Sequence, residues 1–177
     1  MASSARRWWA EKVGRFVSYA RARVSESERA ELAALLTPTQ RALFETMPLP
    51  DQRHGLDVAA ALRRGGHGND PELILAGLLH DAGKGREVRL WHRVAWSLAQ
   101  RYGRWIIRLG GLAPGAHAVF DRLERHPAIS AELARAAGAP ERTVGLIAQQ
   151  AAPGDAAALA LHLADEGELS DRAGNRS

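Results

Sequence analysis

The segment Leu73-Ile74-Leu75-Ala76-Gly77-Leu78-Leu79 constrains the fold of this chain more than any other. Asp70-Pro71 ahead of it supplies an N-cap and a first-turn proline, so the segment opens as a helix. A helix that is apolar on all sides has no face to give to water and must be enclosed by other elements. The chain therefore needs several further helices around this one. With 177 residues and 46% hydrophobic content it has enough material for one well-buried domain.

Start and stop signals for those helices recur along the whole sequence, and no segment shows sustained strand alternation. Trp9, Val13, Phe16, Val17 and Ala20 predict a helix over Arg6 to Arg23. Ser25 with Glu28 forms a capping-box pattern for a second, reaching Leu36. Thr37-Pro38 opens a third that ends before Met47-Pro48, and a fourth covers Asp51 to Arg64 and stops at Gly65-Gly66. After the apolar helix, the pattern predicts helices over Glu87 to Tyr102, Pro114 to Arg125, Pro127 to Ala137, Pro140 to Gln150 and Pro153 to Asp165. The expected architecture is all-α: an N-terminal helical extension over 1–48, a helical domain over 49–168 and a flexible tail over 169–177.

The chain contains no cysteine, which excludes disulfides, thiolate metal sites and cysteine nucleophiles. No apolar run approaches the roughly 18 residues needed to span a bilayer. Glu11, Lys12 and Arg15 interrupt any signal-peptide core behind Trp8-Trp9, so a soluble cytoplasmic protein is expected.

The apolar helix runs out at His80-Asp81, followed by Ala82-Gly83-Lys84. An imidazole and a carboxylate placed against a core must be paired, hydrogen-bonded or bound to metal. An isolated His-Asp pair is more often structural. Here glycine permits a tight turn and lysine supplies a mobile cation. His54 in DQRHGLDVA lies on the preceding helix, where antiparallel pairing brings it beside His80. Asp165 ends the apolar helix ALALHLADEGE much as His80-Asp81 ends its own. Two imidazoles and two carboxylates make a first shell for Mn²⁺, Fe²⁺, Ni²⁺, Co²⁺ or Zn²⁺; Mg²⁺ is less favoured because it prefers oxygen ligands.

The order His54, His80-Asp81, Asp165 resembles the H…HD…D signature of the HD-domain metal-dependent phosphohydrolases. HDAGK is similar to the HD-x-G-K variant of HDIG-type and HD-GYP-type members, and HPAISAELARAAG (His126 to Gly138) to a segment downstream in those proteins. The resemblance spans roughly Asp51 to Glu168. It implies an HD-domain-like helical bundle and metal ligation by His54, His80, Asp81 and Asp165. It also implies hydrolysis of a small phosphorylated molecule, a nucleotide among the candidates, with Asp81, Lys84 and His126 in catalysis. Gln149-Gln150 stand where binuclear members carry an adjacent histidine pair, and the GYP element is absent. A mononuclear site is therefore implied over a binuclear one, and cyclic-dinucleotide hydrolysis is disfavoured. The competing reading is a non-catalytic module that senses a nucleotide or docks a partner.

Lys84 after a helix end also complements the macrodipole, and this role competes with phosphate contact. Arg53 is a further candidate for assisting at the site. His67 in GGHGND is expected in a solvated loop, His92 and His117 on helices without a partner motif, and His162 on the same helix face as Asp165. Two basic, tryptophan-bearing stretches stand apart. Arg6 to Arg23 holds six basic residues against Glu11, and Arg86 to Arg108 holds six arginines against Glu87. In the second, Trp91, Val94, Ala95, Leu98 and Tyr102 form one apolar face, expected to pack while the arginines are solvated. Attraction of a polyanionic substrate, a nucleic acid or an anionic membrane surface is the alternative. The oligomeric state is not legible.

Overall fold

A computed structural model describes residues 22–88, 90–103, 105, 107, 115–167 and 169. The predicted helix over Arg6 to Arg23 lies almost wholly outside them. Eight α-helices occur among the described residues: α1 Glu26–Leu35, α2 Pro38–Thr46, α3 Leu49–Leu62, α4 Pro71–Leu79, α5 Leu90–Tyr102, α6 Ala116–Ala136, α7 Glu141–Ala148 and α8 Ala156–Glu166. No strand occurs among the described residues. None of their helices is long and apolar enough to cross a membrane.

The caps read from the sequence are formed. Ser25 and Glu28 close a reciprocal capping box on α1, as Thr37 and Gln40 do on α2, and the Asp70 side chain accepts from Leu73 N at the start of α4. Each satisfies donors that the first helical turn leaves without partners.

Helix α4 is the buried centre, with every residue from Leu73 to Leu79 enclosed. It packs against α3, α7 and α8. Leu32, Leu36, Phe44 and Met47 of the first two helices join the same apolar cluster. The approach of α3 to α4 depends on Gly55: a Cβ there would lie 2.8 Å from the Leu78 carbonyl oxygen. Absence of that carbon lets the His54 and His80 rings come within 5.2 Å of each other, centroid to centroid. A smaller cluster of Val88, Ala116, Phe120 and Leu123 joins α5 to α6.

Several boundaries differ from the sequence pattern; α8, for one, opens at Ala156 behind an Asp155 cap where the pattern sets Pro153. Helix α3 begins at Leu49, and past Leu62 it continues as a π-type turn over Arg63–His67, with Gly66 in the left-handed region at φ 91°. Helix α5 starts at Leu90, because Val88 turns inward into the smaller cluster. Most consequential, Pro127 does not divide two helices. Helix α6 runs through it from Ala116 to Ala136. A proline in a helix lacks the N–H that would bond the carbonyl four residues back, here that of Leu123. His126 Nδ1 donates to that carbonyl at 2.6 Å, so the freed acceptor is satisfied and the helix continues.

Candidate metal centre

His80 caps the C-terminus of α4 and is wholly enclosed; Asp81 follows and is 2% exposed. His80 Nδ1 donates to the Gly77 carbonyl at 2.9 Å, which fixes the tautomer and aims Nε2 away from the helix. Nε2 stands 3.4 Å from Asp81 Oδ1 and 3.5 Å from Asp165 Oδ1. From α3, His54 Nε2 reaches Asp165 Oδ1 at 2.7 Å. One ligand atom each from His54, His80 and Asp81 lies within 4.8 Å of the others, a grouping able to hold a metal ion.

Two observations favour that use over an ordinary polar cluster. Nε2 of His80 and Oδ1 of Asp81 are fully buried, and neither has a hydrogen-bond partner. A buried polar atom left unpaired costs about 1–3 kcal/mol, more if charged, so two facing the same point require an explanation. In addition, neighbouring ligands on an ion with bonds of about 2.1 Å lie about 3 Å apart at right angles, and the 2.7–3.5 Å separations around Asp165 Oδ1 and His80 Nε2 bracket that value. The buried pair forms the inner wall. His54 and Asp165, with side chains 33% and 22% exposed, form a lip open to solvent.

The HDAGK turn is held against α6 from three sides. Gly83 N donates to Ser130 Oγ at 2.8 Å. Arg122 Nε donates to the carbonyls of Gly83 (2.8 Å) and Lys84 (3.1 Å). A Cβ on Gly83 would lie 2.6 Å from both the His126 oxygen and the Ser130 nitrogen, so only glycine permits this contact. His126 is brought to the site from α6, its Nε2 3.7 Å from Asp81 Oδ1. Because its Nδ1 proton is committed to Leu123, Nε2 is the nitrogen free to accept.

Lys84 also arrives, in a role the sequence did not suggest. Its Nζ pairs with Asp81 Oδ2 at 2.6 Å, occupying the oxygen that does not face His80. Arg53 is turned elsewhere: it pairs with Glu28 at 2.6 Å and with Asp57, tying α1 to α3. His67 lies in the π-type turn and His117 is exposed on α6. His92 is buried, stacked on Trp91.

Gln150 was legible in sequence only as a missing ligand. In the structure its Nε2 donates to Asp165 Oδ2 at 2.8 Å, leaving Oδ1 for the two histidines. His162 Nδ1 holds the Gln150 carbonyl at 3.1 Å. The amide orientation follows from charge, since the reverse would set its oxygen against a carboxylate. Ser130 lies within the HPAISAELARAAG segment that the sequence singled out, whereas nothing in the sequence pointed to Arg122 or to the bond Gln150 makes.

The electrostatics follow from burial opposed by pairing. Burial disfavours the His80 imidazolium, but the carboxylates of Asp81 and Asp165 outweigh it and raise the pKa to about 9. Burial would raise Asp81, yet His80, Lys84 and His54 hold it well below the usual carboxylate range. Asp165 is held low in the same sense: the hydrogen bond from His54 and the His80 charge 3.5 Å away overcome its burial. Burial and the Lys84 charge push His126 down, keeping it neutral near pH 7.

Comparison with protein-family models, curated proteins and solved structures finds no match for the chain.

Proposed function

We propose that this protein is a metal-dependent phosphoric ester hydrolase of the HD-domain kind, acting on a small phosphorylated molecule such as a nucleotide. The single observation that carries the reading is the pair of buried, unpartnered ligand atoms, His80 Nε2 and Asp81 Oδ1, with His54 and Asp165 alongside. Those four residues would hold the ion. The mixed nitrogen and oxygen donors suit Mn²⁺, Fe²⁺, Ni²⁺, Co²⁺ or Zn²⁺ more than Mg²⁺. A single ion is favoured because Gln150 places an amide donor on Asp165 Oδ2, where a second ion would need an acceptor.

When bound, such an ion supplies Lewis-acid polarisation of a phosphoryl oxygen and a water of lowered pKa. The protein's own groups do the remainder. Lys84 neutralises Asp81 and keeps its outer oxygen from turning inward. Neutral His126, its Nε2 free at the edge of the site, accepts a proton from an attacking water and, once carrying it, passes it to the leaving oxygen. His54 and Asp165 admit the substrate on the exposed side.

The test joins metal analysis of the purified protein to phosphate release from a panel of nucleotides and sugar phosphates. Stoichiometric transition metal, turnover of at least one substrate, and loss of turnover in a folded Asp81→Ala protein are expected. A correctly folded, metal-replete protein that binds a nucleotide tightly but releases phosphate from none would replace this reading with the binding module.

A further inference from the structure

Helix α5 exposes the side chains that its sequence pattern predicts to be buried. Trp91, Val94, Leu98 and Tyr102 recur at i, i+3, i+7 and i+11, one stripe of a helix. Yet Trp91, Val94 and Tyr102 are 43%, 45% and 51% exposed. The side that packs is turned partly away from them: His92 and Ala99 are buried, Ala95 and Trp96 rest on the Val88–Phe120 cluster, Leu98 is half-buried, and Trp91 touches the cluster only edge-on to Phe120 at 6.1 Å. Just beyond the helix, Trp105 is 58% exposed, and its indole N–H donates back to the Tyr102 carbonyl at 3.1 Å. With its one polar atom engaged internally, that ring offers only hydrocarbon to its surroundings. Among the described residues seven large hydrophobics are exposed, and four of them are these neighbours. They form a patch, and a patch of this kind marks an interaction surface.

Charge identifies the occupant. The stretches Arg6 to Arg23 and Arg86 to Arg108 together hold twelve of the 24 basic residues and two of the 20 acidic ones. The rest of the chain carries twelve basic residues against eighteen acidic, so the net charge of +4 is the balance of two basic segments on an acidic body. The exposed stripe belongs to one of those segments, in which, against the expectation of solvated arginines, Arg93 pairs with buried Asp51 at 2.6 Å and Arg86 donates to the Thr46 carbonyl. The segment's other arginines are Arg89, Arg101, Arg104 and Arg108. A surface joining Trp and Tyr rings to aliphatic carbon within a basic segment matches the interface of an anionic bilayer. There the rings sit at headgroup level and arginines meet lipid phosphates.

The other occupants fit less well. Nucleic acid would use the rings by face stacking. However, Trp91 is already stacked on His92, with centroids 3.6 Å apart, and Val94 and Leu98 offer no stacking surface. A second copy on a two-fold axis would set the same basic segment against itself.

We propose that the outer face of α5, with Trp105, docks this protein on an anionic lipid surface, independently of what the metal centre hydrolyses. The test uses the full chain with vesicles of phosphatidylcholine alone or mixed with phosphatidylglycerol. The protein should sediment with the mixed vesicles and not with pure phosphatidylcholine, release as salt is raised, and shift its tryptophan emission to the blue when bound. Trp91→Ala/Trp105→Ala should lower the partition coefficient about tenfold or more while leaving the far-UV circular dichroism and metal content unchanged. Because Trp91 also stacks on His92 and meets Phe120 edge-on, Trp105→Ala alone is the second variant, and it should weaken vesicle binding in the same direction. The inference is overturned if wild type ignores mixed vesicles, or if the double variant binds them as wild type does. It is equally overturned if the double variant instead loses affinity for an oligonucleotide or breaks a dimer that wild type forms.

Discussion

Gly83→Ala is the substitution with the most to say about how the HDAGK turn is held. The added carbon would lie 2.6 Å from the His126 oxygen, 2.6 Å from the Ser130 nitrogen and 2.9 Å from Ile129 Cβ. Two of the three are backbone atoms of α6, so no side-chain rotation relieves the clash. Gly83 is not among the glycines with positive φ, so backbone strain does not enter; the cost is steric. Overpacking of this kind costs about 1–3 kcal/mol. Displacing the turn also loosens the Gly83–Ser130 hydrogen bond, worth about 1 kcal/mol. The expected loss is about 2–4 kcal/mol, which for a chain of this length lowers Tm by roughly 5–15 °C. Urea unfolding of metal-free protein followed by circular dichroism measures it. The control is Gly145→Ala in α7, where a Cβ would meet only Gln149 Nε2 at 3.9 Å. That change should stabilise by about 0.4–1 kcal/mol through the unfolded chain. Stability of Gly83→Ala within about 0.5 kcal/mol of wild type would refute the close approach of turn to helix and, with it, the placement of His126 beside Asp81.

Other outcomes follow from the same geometry. Gln150→Leu leaves Asp165 Oδ2 without its donor and should weaken metal affinity about 10–100-fold by calorimetry; unchanged affinity would remove Gln150 from the site. The His80 pKa, raised from 6.5 to about 9, means its charge stabilises the metal-free fold fully below about pH 6.5, and that contribution fades as pH rises through 9. Metal binding competes with the same proton. Affinity should therefore rise with pH over that window, with about one proton released per ion at pH 7, seen as buffer-dependent binding enthalpy. Glu28, held at about 2 by hydrogen bonds from Arg53 and Ser25, stabilises the α1–α3 contact above pH 4.5 and loses this as pH falls towards 2. Glu28→Gln should thus have a lower urea midpoint than wild type at pH 6, the difference shrinking below about pH 4.5 and vanishing only once pH falls below 2.

The helical architecture was legible because its signals are local. A cap, a first-turn proline or an apolar run acts within four residues, and Ser25, Thr37 and Asp70 each open the helix their sequence announces. The sequence also determined that His80 and Asp81 stand at the end of a buried helix, since α4 has no polar face to turn outward. Where a local signal met a tertiary one, the tertiary one prevailed. Pro127 reads as a helix boundary, but the His126 ring replaces the hydrogen bond that the proline removes. The apolar stripe of α5 reads as a packing face, but the neighbouring cluster takes the adjacent side of the helix, sharing with the stripe only Ala95 and the edge of Trp91. The centre itself belongs to the tertiary structure. His54 and Asp165 are 111 residues apart, and only the approach of α3 to α4 across Gly55, with α8 against both, sets their side chains 2.7 Å from each other. No local pattern could announce that Gln150 would hold Asp165, because that depends on where α7 and α8 end in space; the Lys84–Asp81 pair, three residues apart in one turn, is by contrast a local contact. Sequence determined which polar groups stand at the ends of buried helices; packing decided which atoms of those groups are left without a partner.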